Sequence, residues 1–239
     1  MQSPAADAHE ESPRSSFGDP ACLYFLFDFI SHNAYLAWAR AIDIAARHGL
    51  RFEPVPVVFG AMLSAHGQVG PAEIPPKSRW MLRDVLRKAA LLNLPIAPPH
   101  SHPFKSLVPL RWACCALEPA ARLRLIEALW RATWAEGREV SDPAVVADVV
   151  RGAGFDADAL AREVEGEAVK HRLRANTDAA LAAGAFGVPT CFVQAGQQMF
   201  WGYDDLAFLE LALSGRDPLG SAADLSAWTR VRPSVQRKR

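Results

Sequence analysis

Ser31 is the first residue of the sequence whose type and position suit it for chemistry. It follows an apolar, aromatic-rich run that ends at Ile30, and it precedes a stretch in which apolar residues have helical spacing. A serine at this junction lies at the N terminus of a helix, where the helix dipole favours a nearby negative charge. A purely structural role as the helix N-cap is the alternative, and either Ser31 or Asn33 suits it.

The tetrapeptide Gly187-Val-Pro-Thr190 precedes a short segment with strand character. Proline is tolerated at the first position of a strand, because that position needs no donor to the sheet. In thioredoxin-like folds such a proline follows a cis bond and packs against the turn after the first strand, which exposes the preceding backbone to a peptide-like ligand. We therefore predict a cis bond between Val188 and Pro189. An ordinary proline at a strand entry is the alternative.

Two histidines, His100 and His102, lie among prolines between predicted helices. Their spacing would allow two imidazole ligands to a metal, but no further cysteine, aspartate or glutamate lies nearby in sequence, so no metal site is expected. We interpret the segment instead as one wall of a substrate pocket. Apolar surface for an aromatic ligand is predicted from Trp80, Phe104 and Trp112.

The elements that must position these residues begin with a βαβ unit. Strands are predicted over 22–30 and 51–59 with a helix over about 34–48 between them, and the prolines of the second strand favour its ends or a sheet edge. Strand character returns at 190–193 and 197–201, a hairpin before a last helix over about 204–214. Between the two halves, the periodicity predicts helices near 77–92, 105–117, 119–136, 143–152, 156–165 and 167–183.

This order predicts an α/β protein with a thioredoxin-like βαβ-ββα core and a large all-helical insertion. Residues 1–20 are rich in serine, proline, alanine and acids, and they are predicted to be a disordered leader. The predicted thioredoxin-like domain combines 21–61 with 184–216, and 62–183 form the inserted helical subdomain. Residues 217–239 are predicted to be a tail whose basic residues are solvated.

Composition excludes several classes of function. The 239 residues include 26 basic and 26 acidic side chains, so no net charge is present to attract nucleic acid or an anionic membrane. No apolar run approaches the roughly 20 residues of a membrane span, and the start of the chain lacks a secretory signal. The four cysteines form no Cys-x-x-Cys pair, so neither a disulfide framework nor a zinc site is expected. We expect a cytoplasmic protein with reduced thiols.

Six segments, taken in order, resemble one family. They are Phe27-Asp-Phe-Ile-Ser-His-Asn-Ala-Tyr-Leu-Ala37, Gly67-Gln-Val-Gly-Pro71 with Lys77, Trp134-Ala-Glu-Gly137, Leu173-Arg-Ala-Asn-Thr177, Gly184-Ala-Phe-Gly-Val-Pro-Thr190 and Phe200-Trp-Gly-Tyr-Asp204. The family is that of the 2-hydroxychromene-2-carboxylate isomerases, which is related to kappa-class glutathione transferases and DsbA-like thioredoxin proteins. The resemblance covers roughly residues 22–215.

The resemblance implies a glutathione-dependent isomerase of aromatic degradation. Such an enzyme interconverts a conjugated ring-opened acid, trans-o-hydroxybenzylidenepyruvate, and its cyclic hemiketal. Rotation about an intact double bond is far too slow, so a glutathione thiolate adds to the conjugated system and leaves again. The protein must lower the pKa of the thiol and orient two ligands. The implied partners are glutathione and a small aromatic acid, and a homodimer is compatible with the resemblance.

The family pattern also implies site residues. The catalytic residue is Ser31, whose hydroxyl would donate to the thiolate, and because no cysteine occupies this turn dithiol redox chemistry is excluded. The glutathione-binding residues implied by the resemblance are Ser31, Lys77, Asn176, Thr177, Val188, Pro189, Tyr203 and Asp204. The candidate substrate-binding residues, taken together with those predicted above from the sequence, are His32, Gln68, Trp80 and His102. Asp204 is placed at the start of the last helix, where an N-cap role is the alternative.

Several positions depart from the family pattern. His32 and Asn33 stand where a proline and an aromatic residue are usual, and Tyr203 and Asp205 stand where a polar residue and an arginine are usual. His32 is interpreted either as a proton donor or as a replacement for lost packing. Two alternative functions therefore stay open: a kappa-like glutathione transferase, and a non-catalytic thioredoxin-fold binding protein.

Overall fold

A four-stranded mixed sheet lies at the centre of the computed structural model, which describes residues 16–220 and 226–234. Its strands are β1 (Cys22–Phe27), β2 (Arg51–Pro56), β3 (Thr190–Val193) and β4 (Gln198–Trp201). They are ordered β2-β1-β3-β4, with β2 parallel to β1 and with β3 antiparallel to both β1 and β4. This topology confirms the thioredoxin-like core predicted from the sequence.

β1 is central because both of its faces are apolar, and all six of its residues are buried. Successive side chains of a strand point to opposite faces of the sheet. Leu23, Phe25 and Phe27 therefore pack into a larger core on one face, whereas Tyr24 and Leu26 pack into a smaller core on the other.

β2 lies at the edge of the sheet, as its prolines predicted. Pro54 and Pro56 pair with Phe25 and Phe27 of β1, and proline has no backbone N–H to donate to a second neighbour. The strand ends at Pro56 rather than at residue 59, because a helix begins at Phe59.

Ten helices accompany the sheet in the described part of the chain. They are α1 (His32–Arg47), α2 (Phe59–His66), α3 (Pro75–Leu92), α4 (Leu107–Ala113), α5 (Pro119–Trp130), α6 (Pro143–Gly152), α7 (Ala157–Glu165), α8 (Glu167–Ala182), α9 (Leu206–Leu213) and α10 (Ser226–Thr229). A 3-10 turn covers Pro71–Glu73, and a π-helical turn over Arg131–Ala135 continues α5. No helix within these described ranges has the length and apolar character needed to cross a membrane.

Helix α2 was not predicted from the sequence, and α4 is shorter than predicted. Val58 occupies the N-cap position of α2 and makes no side-chain capping hydrogen bond, so the usual signal for a helix start is absent there. α4 covers 107–113 rather than 105–117, because Ser106 is its N-cap residue and the helix stops before Cys114.

The inserted helices pack directly on the sheet. The larger core joins β1 and α1 to buried side chains from the insertion, among them Leu110, Trp130 and Val150. The segment 62–183 therefore shares its core with the thioredoxin-like part, and its boundaries as a subdomain stay a prediction.

The leader predicted over 1–20 is too long at its C-terminal end. Residues 1–15 lie outside the described residues, but Phe17 is buried and stacks on Phe192, with 4.8 Å between the ring centroids. Asp19 forms an ion pair with Arg51 of β2, at 2.9 Å. Residues 16–20 thus belong to the folded domain. Of the predicted tail, residues 221–225 and 235–239 lie outside the description.

Candidate active site

Ser31 caps α1 at the turn that follows β1. Its Oγ accepts a hydrogen bond from the Ala34 backbone N–H at 3.2 Å, so helix α1 begins at His32 rather than at residue 34. The same hydroxyl donates to the Val188 carbonyl at 3.5 Å, a distance at which a hydrogen bond is weak. The hydroxyl proton can therefore turn to a stronger acceptor in the cleft at little cost.

Asp28 stabilises the turn between β1 and α1 through hydrogen bonds to the backbone. No role for this residue was predicted from the sequence. Its buried carboxylate accepts from the backbone N–H groups of Ile30, at 3.1 Å, and Phe59, at 2.9 Å. Burial raises the pKa of Asp28, while hydrogen bonds from Ser106 and these two amides oppose the rise. The carboxylate thus ties the β1–α1 turn to the start of α2. An acid at the end of an otherwise apolar strand was the available signal.

The bond between Val188 and Pro189 is cis, as predicted. The backbone N–H of Val188 has no hydrogen-bond partner within residues 16–220 and 226–234, and its carbonyl accepts only the long bond from Ser31. Both groups are therefore available to pair with an extended peptide-like ligand.

The β1–α1 turn, the segment before β3 and the first half of α3 line a cleft of about 570 Å³. Residues assigned from the sequence that line it are Ser31, His32, Gln68, Lys77, Trp80, His102 and Val188. Assigned residues that do not line it are Asn176, Thr177, Pro189, Tyr203 and Asp204. The predicted ligand residues therefore separate into a group at the cleft and a group with structural contacts.

Asn176 and Thr177 stabilise the chain after β2 rather than facing the cleft. The Asn176 amide donates to the Pro56 carbonyl at 3.1 Å. The buried Thr177 hydroxyl donates to the Leu173 carbonyl at 2.9 Å and accepts from the Val58 N–H at 3.0 Å. Because these groups are already paired with the backbone, their assignment to glutathione is not supported by the geometry.

Tyr203 and Asp204 contact α3 through Lys88. The Lys88 ammonium is 3.0 Å from the Asp204 carboxylate and 5.0 Å from the centroid of the Tyr203 ring. The prediction that Asp204 starts the helix over about 204–214 is wrong, because α9 begins at Leu206 and its N-cap residue is Asp205. The Asp205 carboxylate accepts from the Trp201 N–H at 3.1 Å.

His32 lies on the floor of the cleft with its polar atoms buried. Neither ring nitrogen has a hydrogen-bond partner in the described part of the chain. Burial, with a smaller contribution from His102, lowers the pKa of His32 to about 4, and Asp84 opposes the shift. The Asn33 amide favours protonation weakly and makes no hydrogen bond of normal geometry to the ring. At neutral pH His32 is uncharged and acts in packing.

The walls of the cleft are largely aromatic and aliphatic. Trp80 is 62% exposed and Trp201 is 48% exposed, so both indole rings can contact a ligand. Phe186 lies against Trp201, with 5.1 Å between the ring centroids. Two predicted wall residues do not line the cleft: Trp112 is buried in the core, and the ring of Phe104 packs edge-on against that of His102.

The cysteines take no part in the cleft. All four are buried free thiols. Burial raises the pKa of Cys114 to about 11, and it raises those of Cys115 and Cys191 to about 12. Thiols of this kind are unreactive at neutral pH.

Known proteins are similar to this chain in both sequence and fold. Residues 23–214 match the family model of the DsbA-like thioredoxin domain. The chain is 33% identical to 2-hydroxychromene-2-carboxylate isomerase of Sphingobium xenophagum, over 78% of this chain and 94% of that protein. It is 23% identical to glutathione S-transferase kappa 1 of Rattus norvegicus, over 81% and 91%. The solved structure of a 2-hydroxychromene-2-carboxylate isomerase superposes with a TM-score of 0.74 at 28% identity, covering 81% of this chain and 94% of that one.

Proposed function

The chain belongs to the DsbA-like thioredoxin-domain family and, within it, to the 2-hydroxychromene-2-carboxylate isomerases, and we propose that it is a glutathione-dependent isomerase of a 2-hydroxychromene-2-carboxylate-type substrate. Relatives of this chain are named 2-hydroxychromene-2-carboxylate isomerase and glutathione S-transferase, and we extend to it the isomerase activity of the first and the use of glutathione by the second. We also assign the cleft at Ser31 as the place of the reaction.

The observation that carries the proposal is the serine at the N terminus of α1. Ser31 faces the segment before β3, and among the described residues its hydroxyl donates only the weak hydrogen bond to the Val188 carbonyl across the cleft. No cysteine lies in the turn, and the four cysteines of the chain are buried elsewhere. The site therefore suits stabilisation of a ligand's thiolate rather than exchange of a protein disulfide.

The donors and acceptors around Ser31 fit glutathione. The Val188 N–H, which has no partner among the described residues, and the Val188 C=O, which accepts only the weak bond from Ser31, suit the cysteinyl backbone of the tripeptide. Lys77 is the only lysine or arginine among the described residues that line the cleft, and it suits a carboxylate of glutathione or of the substrate. Gln68, which also lines the cleft, adds amide donors and an acceptor.

Glutathione, when bound, supplies a thiolate that adds reversibly to a conjugated double bond and so permits rotation. Ser31 contributes a hydroxyl donor to the anion, and α1 contributes the partial positive charge of its N terminus. His32 contributes no charge at neutral pH, because burial keeps it unprotonated. Trp80 and Trp201 orient an aromatic ring between apolar walls.

Two measurements test the proposal. Calorimetry should detect binding of glutathione to the wild-type protein, and no binding would favour a non-catalytic thioredoxin-fold protein. The rate of glutathione-dependent isomerisation of 2-hydroxychromene-2-carboxylate is then compared with the rate of conjugation of 1-chloro-2,4-dinitrobenzene. Isomerisation should dominate, whereas conjugation alone would point to a kappa-like transferase.

A further inference from the structure

The loop residue His102 is fixed at the cleft in one tautomer. Its Nε2 lies 3.0 Å from the carbonyl oxygen of Ile30, the residue before Ser31. A carbonyl oxygen only accepts hydrogen bonds, so Nε2 carries the ring proton and Nδ1 has a free lone pair. The residue is exposed and lines the cleft, so Nδ1 is a base that a ligand can reach.

His32 cannot serve in this way, although it is adjacent to Ser31 in sequence. Both of its ring nitrogens are buried. Its ring instead packs beside that of His102, with 6.3 Å between the centroids, and Trp134 packs against both rings. The sequence left two roles open for His32, proton donor and packing residue, and the geometry supports packing. His102 is the histidine whose position suits an acid–base role.

We propose that His102 is a catalytic acid–base residue that opens and closes the hemiketal ring of the substrate. The inference deepens the proposed function and depends on it for the substrate. Nδ1 accepts the proton of the hemiketal hydroxyl as the O–H electron pair forms the new C=O bond. The bond between this carbon and the ring oxygen breaks, and the same imidazole returns the proton to the phenolate oxygen. Atoms and charge balance without a further reactant.

The surroundings of His102 keep it unprotonated at neutral pH. Although the residue is exposed overall, partial desolvation of its ring lowers the pKa of His102, and the hydrogen bond to the Ile30 carbonyl opposes this only in part. The ionisable groups that line the same cleft are His32 from α1, Glu73 from the 3-10 turn and Lys77 from α3. The Glu73 carboxylate already accepts from the Gly70 N–H at 2.8 Å. Behind His32, α3 adds Asp84 and Lys88, which act on that ring with opposite sign.

Ring opening can be measured without glutathione, because it requires no rotation about the double bond. Hydroxylamine at saturating concentration traps the ring-opened ketone as an oxime, so the rate of oxime formation reports the rate of opening. The wild-type protein is compared with His102→Ala and with His100→Ala, a matched control in the same loop whose ring lies beside Glu139 and does not line the cleft.

We expect His102→Ala to lower the catalysed rate by about 100-fold or more, with partial rescue by free imidazole. His100→Ala should stay within about twofold of the wild type. Loss of the acid-side pH dependence in His102→Ala would support the assignment. A rate within about threefold of the wild type, an equal loss in both variants, or no acceleration of opening by the wild-type protein would overturn it.

Calorimetry on the same proteins separates this inference from the proposed function. If glutathione does not bind but opening depends on His102, the glutathione-dependent function fails and the assignment of His102 stands. If the wild-type protein binds glutathione and isomerises the substrate while His102→Ala opens the ring normally, the assignment of His102 alone fails.

Discussion

Replacing His32 by phenylalanine should make the free energy of unfolding less sensitive to pH between about 6.5 and about 4. His32 is only 7% exposed, and burial is the main cause of its lowered pKa. In the unfolded chain the ring takes up a proton below about pH 6.5, whereas in the folded protein it stays neutral until about pH 4. The unfolded state therefore binds more protons in this window, and stability present above pH 6.5 is lost as the pH falls.

The size of the effect follows from the two pKa values. A fall from 6.5 to about 4 corresponds to roughly 3 kcal/mol when complete. At pH 5 about 2 kcal/mol of this should already be lost relative to pH 7.5. The phenylalanine variant retains a ring in the same packing position, and it has no group that titrates there.

Urea denaturation of both proteins at pH 7.5, 6.5, 5.5 and 5.0 measures the difference. Other titrating groups, such as Asp28 and Glu210, contribute to both curves and cancel when the two proteins are subtracted. His32→Gln is a second variant in case the larger phenylalanine ring strains the site. Parallel stability curves for the wild type and both variants, or a proton NMR titration of the folded His32 ring near pH 6.5, would refute the reasoning.

Three further substitutions test the placement of other residues. Thr177→Val should cost about 1–3 kcal/mol of stability without changing glutathione affinity, because the partly buried Val58 N–H loses its acceptor. Thr133→Val loses only the hydrogen bond from its hydroxyl to the Leu129 carbonyl one turn earlier, and it should cost less in the same urea assay. Gly187→Ala should weaken binding of the aromatic substrate and shift tryptophan fluorescence, because the new Cβ would lie 2.6 Å from Nε1 of Trp201; an unchanged KM would contradict this. Lys77→Gln should weaken glutathione binding by about 1 kcal/mol, roughly fivefold, by calorimetry, and the loss should shrink in high salt; an unchanged Kd would remove Lys77 from the site.

Local signals in the sequence were sufficient for the parts of the fold near the site. The apolar run of β1, the serine before a helical pattern and the prolines of β2 each depend on a few neighbouring residues, and the structure confirmed the elements they predicted. The cis bond before Pro189 is predictable because thioredoxin-like folds place a cis proline at one position, the entry to β3.

The contacts that could not be predicted from the sequence join residues that are far apart in the chain. Lys88 binds Asp204 from a helix more than a hundred residues earlier, and nothing near either residue indicates that contact. Asn176 and Thr177 resemble ligand residues by motif, but they bind backbone groups at the end of β2 and just after it. The burial of His32, which sets its charge, depends on elements far apart in the chain, and so it became visible only in the structure.

The pKa of the thiol in bound glutathione tests the central claim most directly, since Ser31 is proposed to stabilise the thiolate. A hydrogen bond to a charged group contributes about 1.5–3 kcal/mol, which is roughly one to two pKa units. Thiolate absorbance in the ultraviolet is titrated against pH with the wild type, Ser31→Ala and Ser31→Thr, which keeps a hydroxyl. We predict that Ser31→Ala raises the pKa of the bound thiol by one to two units, and that Ser31→Thr stays near the wild type. Identical titrations in the wild type and Ser31→Ala would show that Ser31 is only a helix cap, and they would contradict the account.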